Sequence, residues 1–133
     1  MAEVYYYIPA DKVEYVMECG LKLSNWYDRE VLVNGLKKKC IAALLNPKDD
    51  MDKFCNNDLK CIKLEVPNNY CFVADRCLYN AGINIPAVMD LDTASIVSIE
   101  KYVFGSHRLP ECLVTTTVIA GQMRVMNKIM DSP

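Results

Sequence analysis

The side chains able to do chemistry in this chain are few. Seven cysteines include two pairs, Cys55 with Cys61 and Cys71 with Cys77, each separated by five residues. Structural zinc sites favour about two to four residues between paired thiolates, so this spacing argues against a metal knuckle. An odd number of cysteines reads better as small buried thiols in a reducing compartment. His107 is the sole histidine, which disfavours a histidine-based metal site. It leaves one candidate for acid–base work, although Ser106 and Arg108 beside it suggest a surface loop. Tyr5, Tyr6 and Tyr7 form a run that could stack on an aromatic ring. Lys37, Lys38 and Lys39 follow a turn signal and read as a solvated hairpin end, with phosphate contact as the sharper alternative. The five glycines are scattered, so no Gly-rich dinucleotide fingerprint is present.

These residues must be held by a small scaffold. A chain of 133 residues fits one domain, 1–133, and its 52% hydrophobic and 24% charged residues have the balance of a globular fold. Fifteen basic and seventeen acidic residues give a net charge of −2, so any nucleic-acid site must be local. No apolar run reaches the roughly 18 residues of a membrane span, and Met1 to Ala10 lacks the pattern of a signal peptide. No membrane partner and a cytoplasmic location are expected.

The local signals indicate an α+β fold. Val4 to Ile8 is β-rich and stops at Pro9. Asp11 is predicted to cap a helix, with Glu14 completing a capping box, a Val13, Val16 and Met17 stripe, and Gly20 closing it in a left-handed turn. Asn34-Gly35 predicts a hairpin, Cys40 to Leu45 a buried strand or the end of one, and Asn46-Pro47 the start of a short helix running from Lys48 to about Phe54. Cys61 to Val66 alternates as a strand should, with Tyr70 to Val73 as its expected hairpin partner. No element is assigned around Pro86. Ser95 to Ile99 is a short element. Cys112 to Ile119 is the clearest strand and, apolar or threonine on both faces, reads as central. Met123, Val125, Met126 and Ile129 suggest a last amphipathic piece.

Four landmarks, taken in order, resemble those of the DarT-type toxins, enzymes that ADP-ribosylate bases in single-stranded DNA using NAD. They are Tyr6-Tyr7-Ile8-Pro9 through Gly20-Leu21, similar to the family's opening Tyr-His-Ile-Thr, helix and Gly-Leu; Leu44-Leu45-Asn46-Pro47-Lys48-Asp49-Asp50-Met51, similar to its Asn-Pro-Arg stretch; Phe72-Val73-Ala74-Asp75-Arg76 through Asn80-Ala81, similar to its Phe-Thr-Asp and Asn-Ala stretch; and Arg108-Leu109-Pro110-Glu111-Cys112-Leu113-Val114, similar to the segment holding its catalytic glutamate.

The resemblance implies an ADP-ribosyltransferase-like fold, with small mostly antiparallel sheets, an N-terminal helix and short helices. It implies NAD as substrate, Glu111 as catalytic carboxylate and Tyr7, Arg29 and Asn46 on the NAD side, with Lys39 as a rival to Arg29. Single-stranded nucleic acid is the implied partner, with a nucleic-acid base or another acceptor such as a protein group receiving the ADP-ribose, and no metal is called for. Loss of nicotinamide leaves an oxocarbenium-like ribose, which a carboxylate stabilises, while a basic side chain can clamp the pyrophosphate. Tyr7, Arg29 and Glu111 should then converge on one cleft, with the Val4–Ile8 strand beside the Cys112–Ile119 strand. Two positions depart from the family: Tyr7 replaces a histidine and Pro9 a threonine. Proline offers neither hydroxyl nor N–H, so NAD must bind differently here or not at all. The chain is also short for the family, and DNA-gripping loops are expected to be trimmed. A non-catalytic binding module of the same fold, and an unrelated small interaction protein, are the alternative readings.

Overall fold

The β-branched and tyrosine-rich runs assemble into two separate antiparallel sheets in the computed structural model, which describes residues 1–126. Strands and helices are numbered along the chain. In the first sheet β4 (Leu59–Val66) lies between β1 (Ala2–Pro9) and β8 (Met123–Val125). The alternation in β4 is realised, since Ile62, Leu64 and Val66 are fully buried. The second sheet has the order β2 (Arg29–Val33), β3 (Leu36–Ala43), β7 (Pro110–Val114), β5 (Cys71–Asp75) and β6 (Val97–Ser98), with antiparallel neighbours throughout. Asn34 and Gly35 have φ of 52° and 78°, the double left-handed pair that a two-residue hairpin turn matched to strand twist requires.

The sheets are stitched where β3 ends. Tyr5 and Leu44 exchange backbone hydrogen bonds of 2.8 and 2.7 Å, so the first sheet is anchored to the last residues of the Cys40–Leu45 run. Val4, Ile8, Ile62 and Leu64 from one sheet pack with Ile41, Cys112 and Val114 from the other in the main core. Helix α1 (Val13–Cys19) adds Val16 fully buried, with Val13 and Met17 beside it, as its stripe implied. A short α2 (Leu23–Trp26) follows.

Several expectations need correction. Asp11 lies in a 3-10 turn, Ala10–Lys12, and α1 begins after Lys12 without a side-chain cap, so the Asp11–Glu14 capping box does not form. Gly20 does have positive φ, 80°, but its ψ of 175° is extended, because the chain leaves α1 directly into a two-way bridge between Leu21 and Val118. Asn46 caps as expected, accepting from Lys48 N–H at 3.0 Å, yet Asp50 splits the helix into a 3-10 turn, Pro47–Asp49, and α3 (Met51–Phe54), which Asp50 itself caps. β5 does not pair with β4: Pro67 and the 3-10 turn Asn68–Tyr70 carry the chain to the other sheet. β7 is central, as both apolar faces implied, but ends at Val114, and of the remaining 115–119 stretch only Val118 makes a bridge. Two helices, α4 (Arg76–Gly82) and α5 (Pro86–Ser95), occupy the stretch left unassigned around Pro86. The last amphipathic piece begins as β8, and Ile129 lies outside the described residues.

Candidate functional site: a buried Arg29–Glu111 pair beside a tyrosine-lined cavity

Strand order brings the central charges together. Arg29 heads β2 opposite Cys40 of β3, while Glu111 stands in β7 opposite Ala74 of β5. Arg29 reaches past β3 and its Nη2 donates to Glu111 Oε1 in a direct ion pair between residues 82 positions apart. The two side chains are only 9% and 5% exposed. A carboxylate so placed would be costly to bury without its cation. The face of Tyr79, from α4, covers the guanidinium, whose Cζ is 3.8 Å from the ring centroid.

Beside this pair is a cavity of about 170 Å³ lined by Tyr5, Tyr6, Tyr7, Asp28, Ala42, Leu44, Lys53, Arg76 and Glu111. The stitch between sheets presents the tyrosines to it. The Tyr7 hydroxyl donates to the Pro47 carbonyl at 2.8 Å, and Tyr6 donates to Asp28 at 3.2 Å. Asp28 also accepts from Ala42 N–H at 2.7 Å, which fixes it against β3. Burial pushes both phenol pKa values up; the charge of Asp28 adds to the rise for Tyr6, and the Cys61 thiol adds to it for Tyr7. Both hydroxyls therefore stay protonated and serve as donors, not as bases. Arg76 ion-pairs with Asp50 at 3.5 Å.

Tyr7 and Glu111 line one cavity, and Arg29 joins them through Glu111. The expected adjacency of their strands is not the cause, since β1 and β7 belong to different sheets; the Tyr5–Leu44 bridge does that work. Asn46 is not in the lining: its side chain is held in the cap of the 3-10 turn, and its N–H donates to Asp49. Lys39, the rival to Arg29, lies on the surface over the Tyr27 ring, 4.7 Å from its centroid. His107 is tied to the Ser95 carbonyl at 2.8 Å and packs edge-on against Tyr102, a structural role.

Sequence reasoning missed Asp28, Lys53, Arg76, Tyr79 and Asp92. Only Asp75-Arg76 carried a signal, inside the third landmark. Asp75 accepts backbone N–H bonds from Cys77, Arg108 and Leu109 and thereby ties β5 and α4 to the segment entering β7. Burial opposes its charge, but these three donors outweigh burial and hold its pKa below the usual value. Four cysteines, Cys40, Cys61, Cys71 and Cys112, are buried as expected; Cys19 and Cys55 are exposed and Cys77 is partly so. Burial pushes the Cys40 thiol up to about 12, despite Arg29 nearby, which leaves it protonated and unreactive. No group of three or more His, Cys, Asp or Glu side chains among the described residues is placed to hold a metal. No helix among them is long and apolar enough to cross a membrane.

Chemically, the arrangement offers a carboxylate whose charge is balanced by an adjacent guanidinium, flanked by phenol donors and by two further cations, Lys53 and Arg76. Such a wall can meet a ligand that combines positive charge at one centre with hydroxyls and phosphates elsewhere. Comparison with known proteins finds no matching family model, no matching curated protein and no matching solved structure.

Proposed function

We propose that the chain is an NAD-dependent ADP-ribosyltransferase of the DarT type, acting in the cytoplasm on a base of single-stranded nucleic acid. The reading rests on one observation above the others: Arg29 and Glu111, which the resemblance implies converge on one NAD cleft, meet beside a cavity that Tyr7 also lines. In the proposed step the bond between ribose C1′ and the nicotinamide nitrogen breaks, and its electron pair leaves with nicotinamide. Glu111 stabilises the positive charge on the ribose. A nitrogen of the acceptor base then donates its pair to C1′ and releases its proton to solvent. Arg29, Lys53 and Arg76 are the cations available to the pyrophosphate.

A specific observation favours a second reading, a non-catalytic binding module. The cavity, about 170 Å³, is below the roughly 300–1,000 Å³ usual for small-molecule sites, so it accepts one ring and not a dinucleotide as it stands. Arg29 is also already engaged by Glu111 and Tyr79.

Nicotinamide release, measured with and without single-stranded DNA for the parent and Glu111→Gln, separates the readings. The transferase reading expects release by the parent and a loss of about 100- to 1,000-fold in the variant, with urea unfolding confirming that the variant is folded. Equal release by the two proteins removes Glu111 from the chemistry. No release by a folded parent leaves the binding module.

A further inference from the structure

Two polar atoms near the ion pair are buried without a hydrogen-bond partner among the described residues: Arg29 Nε and Asp92 Oδ1. Buried polar atoms are satisfied in the great majority of cases, so two orphans of complementary type in one region call for an explanation. Asp92 lies in α5 and is only 2% exposed. Helix α5 packs on β2, the strand that Arg29 heads, and on α4, whose Tyr79 covers the guanidinium. The α4–α5 contact is close enough that a Cβ on Gly82 would stand 2.9 Å from the Met89 backbone, which holds the two helices in a fixed relation.

We propose that Asp92 is the alternate partner of Arg29: when Glu111 turns away from the guanidinium toward a bound ribose, Arg29 Nε–H closes on Asp92 Oδ1, so that the buried cation is never left unpaired. The inference rests on the reading of Glu111 as the ribose-facing carboxylate. Asp92 is a positioning residue in this scheme, since it acts through Arg29. The charged groups felt by Asp92 fit the exchange. Its own burial raises its pKa, Arg29 lowers it, and Glu111 and Asp75 raise it again. With Glu111 on Arg29, burial and the neighbouring carboxylates hold the Asp92 pKa above its usual value; with Glu111 withdrawn, the guanidinium favours ionised Asp92.

The exchange is testable without activity. In a double-mutant cycle read by urea unfolding at neutral pH, Glu111→Gln is tolerated while Asp92 can take over Arg29. In the Asp92→Asn background the same change leaves the guanidinium with no carboxylate. The expected result is a folding constant of the double variant at least about tenfold below that given by multiplying the two single effects. Simple multiplicativity overturns the proposal. If the double variant does not fold, the Arg29 Nε–H resonance is followed by NMR in the parent and in Glu111→Gln. A downfield shift in the variant, as a new hydrogen bond to Asp92 requires, supports the exchange, and an unmoved resonance overturns it. Failure of the parent to release nicotinamide would remove the transferase reading while leaving these results to decide the exchange.

Discussion

Arg29 at the start of β2 and Glu111 in β7 are separated by the width of β3 and joined by a single buried ion pair under the ring of Tyr79. Because both groups are withdrawn from water, the cost of losing one differs from the cost of losing both. With only 5% of its side chain exposed, Glu111 is not a surface position that can be changed without a stability effect. Arg29→Met, which leaves the carboxylate buried alone, should cost about 3–5 kcal/mol. Arg29→Met combined with Glu111→Leu should recover most of it. Urea unfolding of the three proteins gives the comparison, and a double variant as weak as the single one would contradict the pair's burial.

Gly20 and Gly35 both have positive φ but should respond differently to alanine. A Cβ at Gly35 meets nothing within 4 Å, so Gly35→Ala carries only the left-handed backbone cost of about 1 kcal/mol. At Gly20 a Cβ would stand 2.6 Å from the Val118 carbonyl oxygen, and the backbone is in a region almost confined to glycine. Gly20→Ala should cost about 3 kcal/mol by urea midpoint. Equal losses at the two sites would show that the Leu21–Val118 bridge yields easily.

Asn46→Ala separates a cap from a ligand contact. The Asn46 side chain accepts from Lys48 N–H and lies outside the cavity lining, so its loss should cost about 1 kcal/mol of stability and leave NAD affinity unchanged. A tenfold weaker NAD response at unchanged stability would return Asn46 to the binding site.

These two sites also mark what the sequence could disclose. Asn34-Gly35, Asn46-Pro47 and the Ile62, Leu64, Val66 alternation act locally: a turn, a cap and a pleat are dictated by a few neighbouring residues. Helices α4 and α5 escaped because their pattern is inverted. Ile83 and Leu91 are exposed and Asp92 is buried, while Ile85, preceding Pro86, gives no side-chain cap. The partner of β5 was misjudged because proximity in sequence favours a hairpin, whereas Cys71 and Val73, both fully buried, pair with β7. Glu111 and Arg29 were found through the resemblance. Tyr79 and Asp92 join them only through tertiary packing, which no local spacing encodes.

Asp75 gives the acid dependence. Its folded pKa lies below its usual value of 3.8, so the stability it contributes is present above that value and is lost as pH falls through the folded one. Urea midpoints should therefore decline below about pH 4 in the parent. Asp75→Asn should start lower at neutral pH and show a shallower acid slope. A variant with the parent's slope would mean that the backbone donors of Arg108 and Leu109 do not stabilise the carboxylate.

The most direct measurement for the central claim, that the cavity beside Arg29 and Glu111 receives one ring of a bound NAD, is thermal unfolding of the parent in increasing NAD, with ADP-ribose in parallel. A ligand that binds only the folded chain stabilises it by about 2.7 kcal/mol at a hundred times its dissociation constant. The expected result is a melting temperature that climbs with NAD concentration and climbs less in Arg29→Met. A melting temperature unmoved by millimolar NAD and ADP-ribose would contradict the assignment.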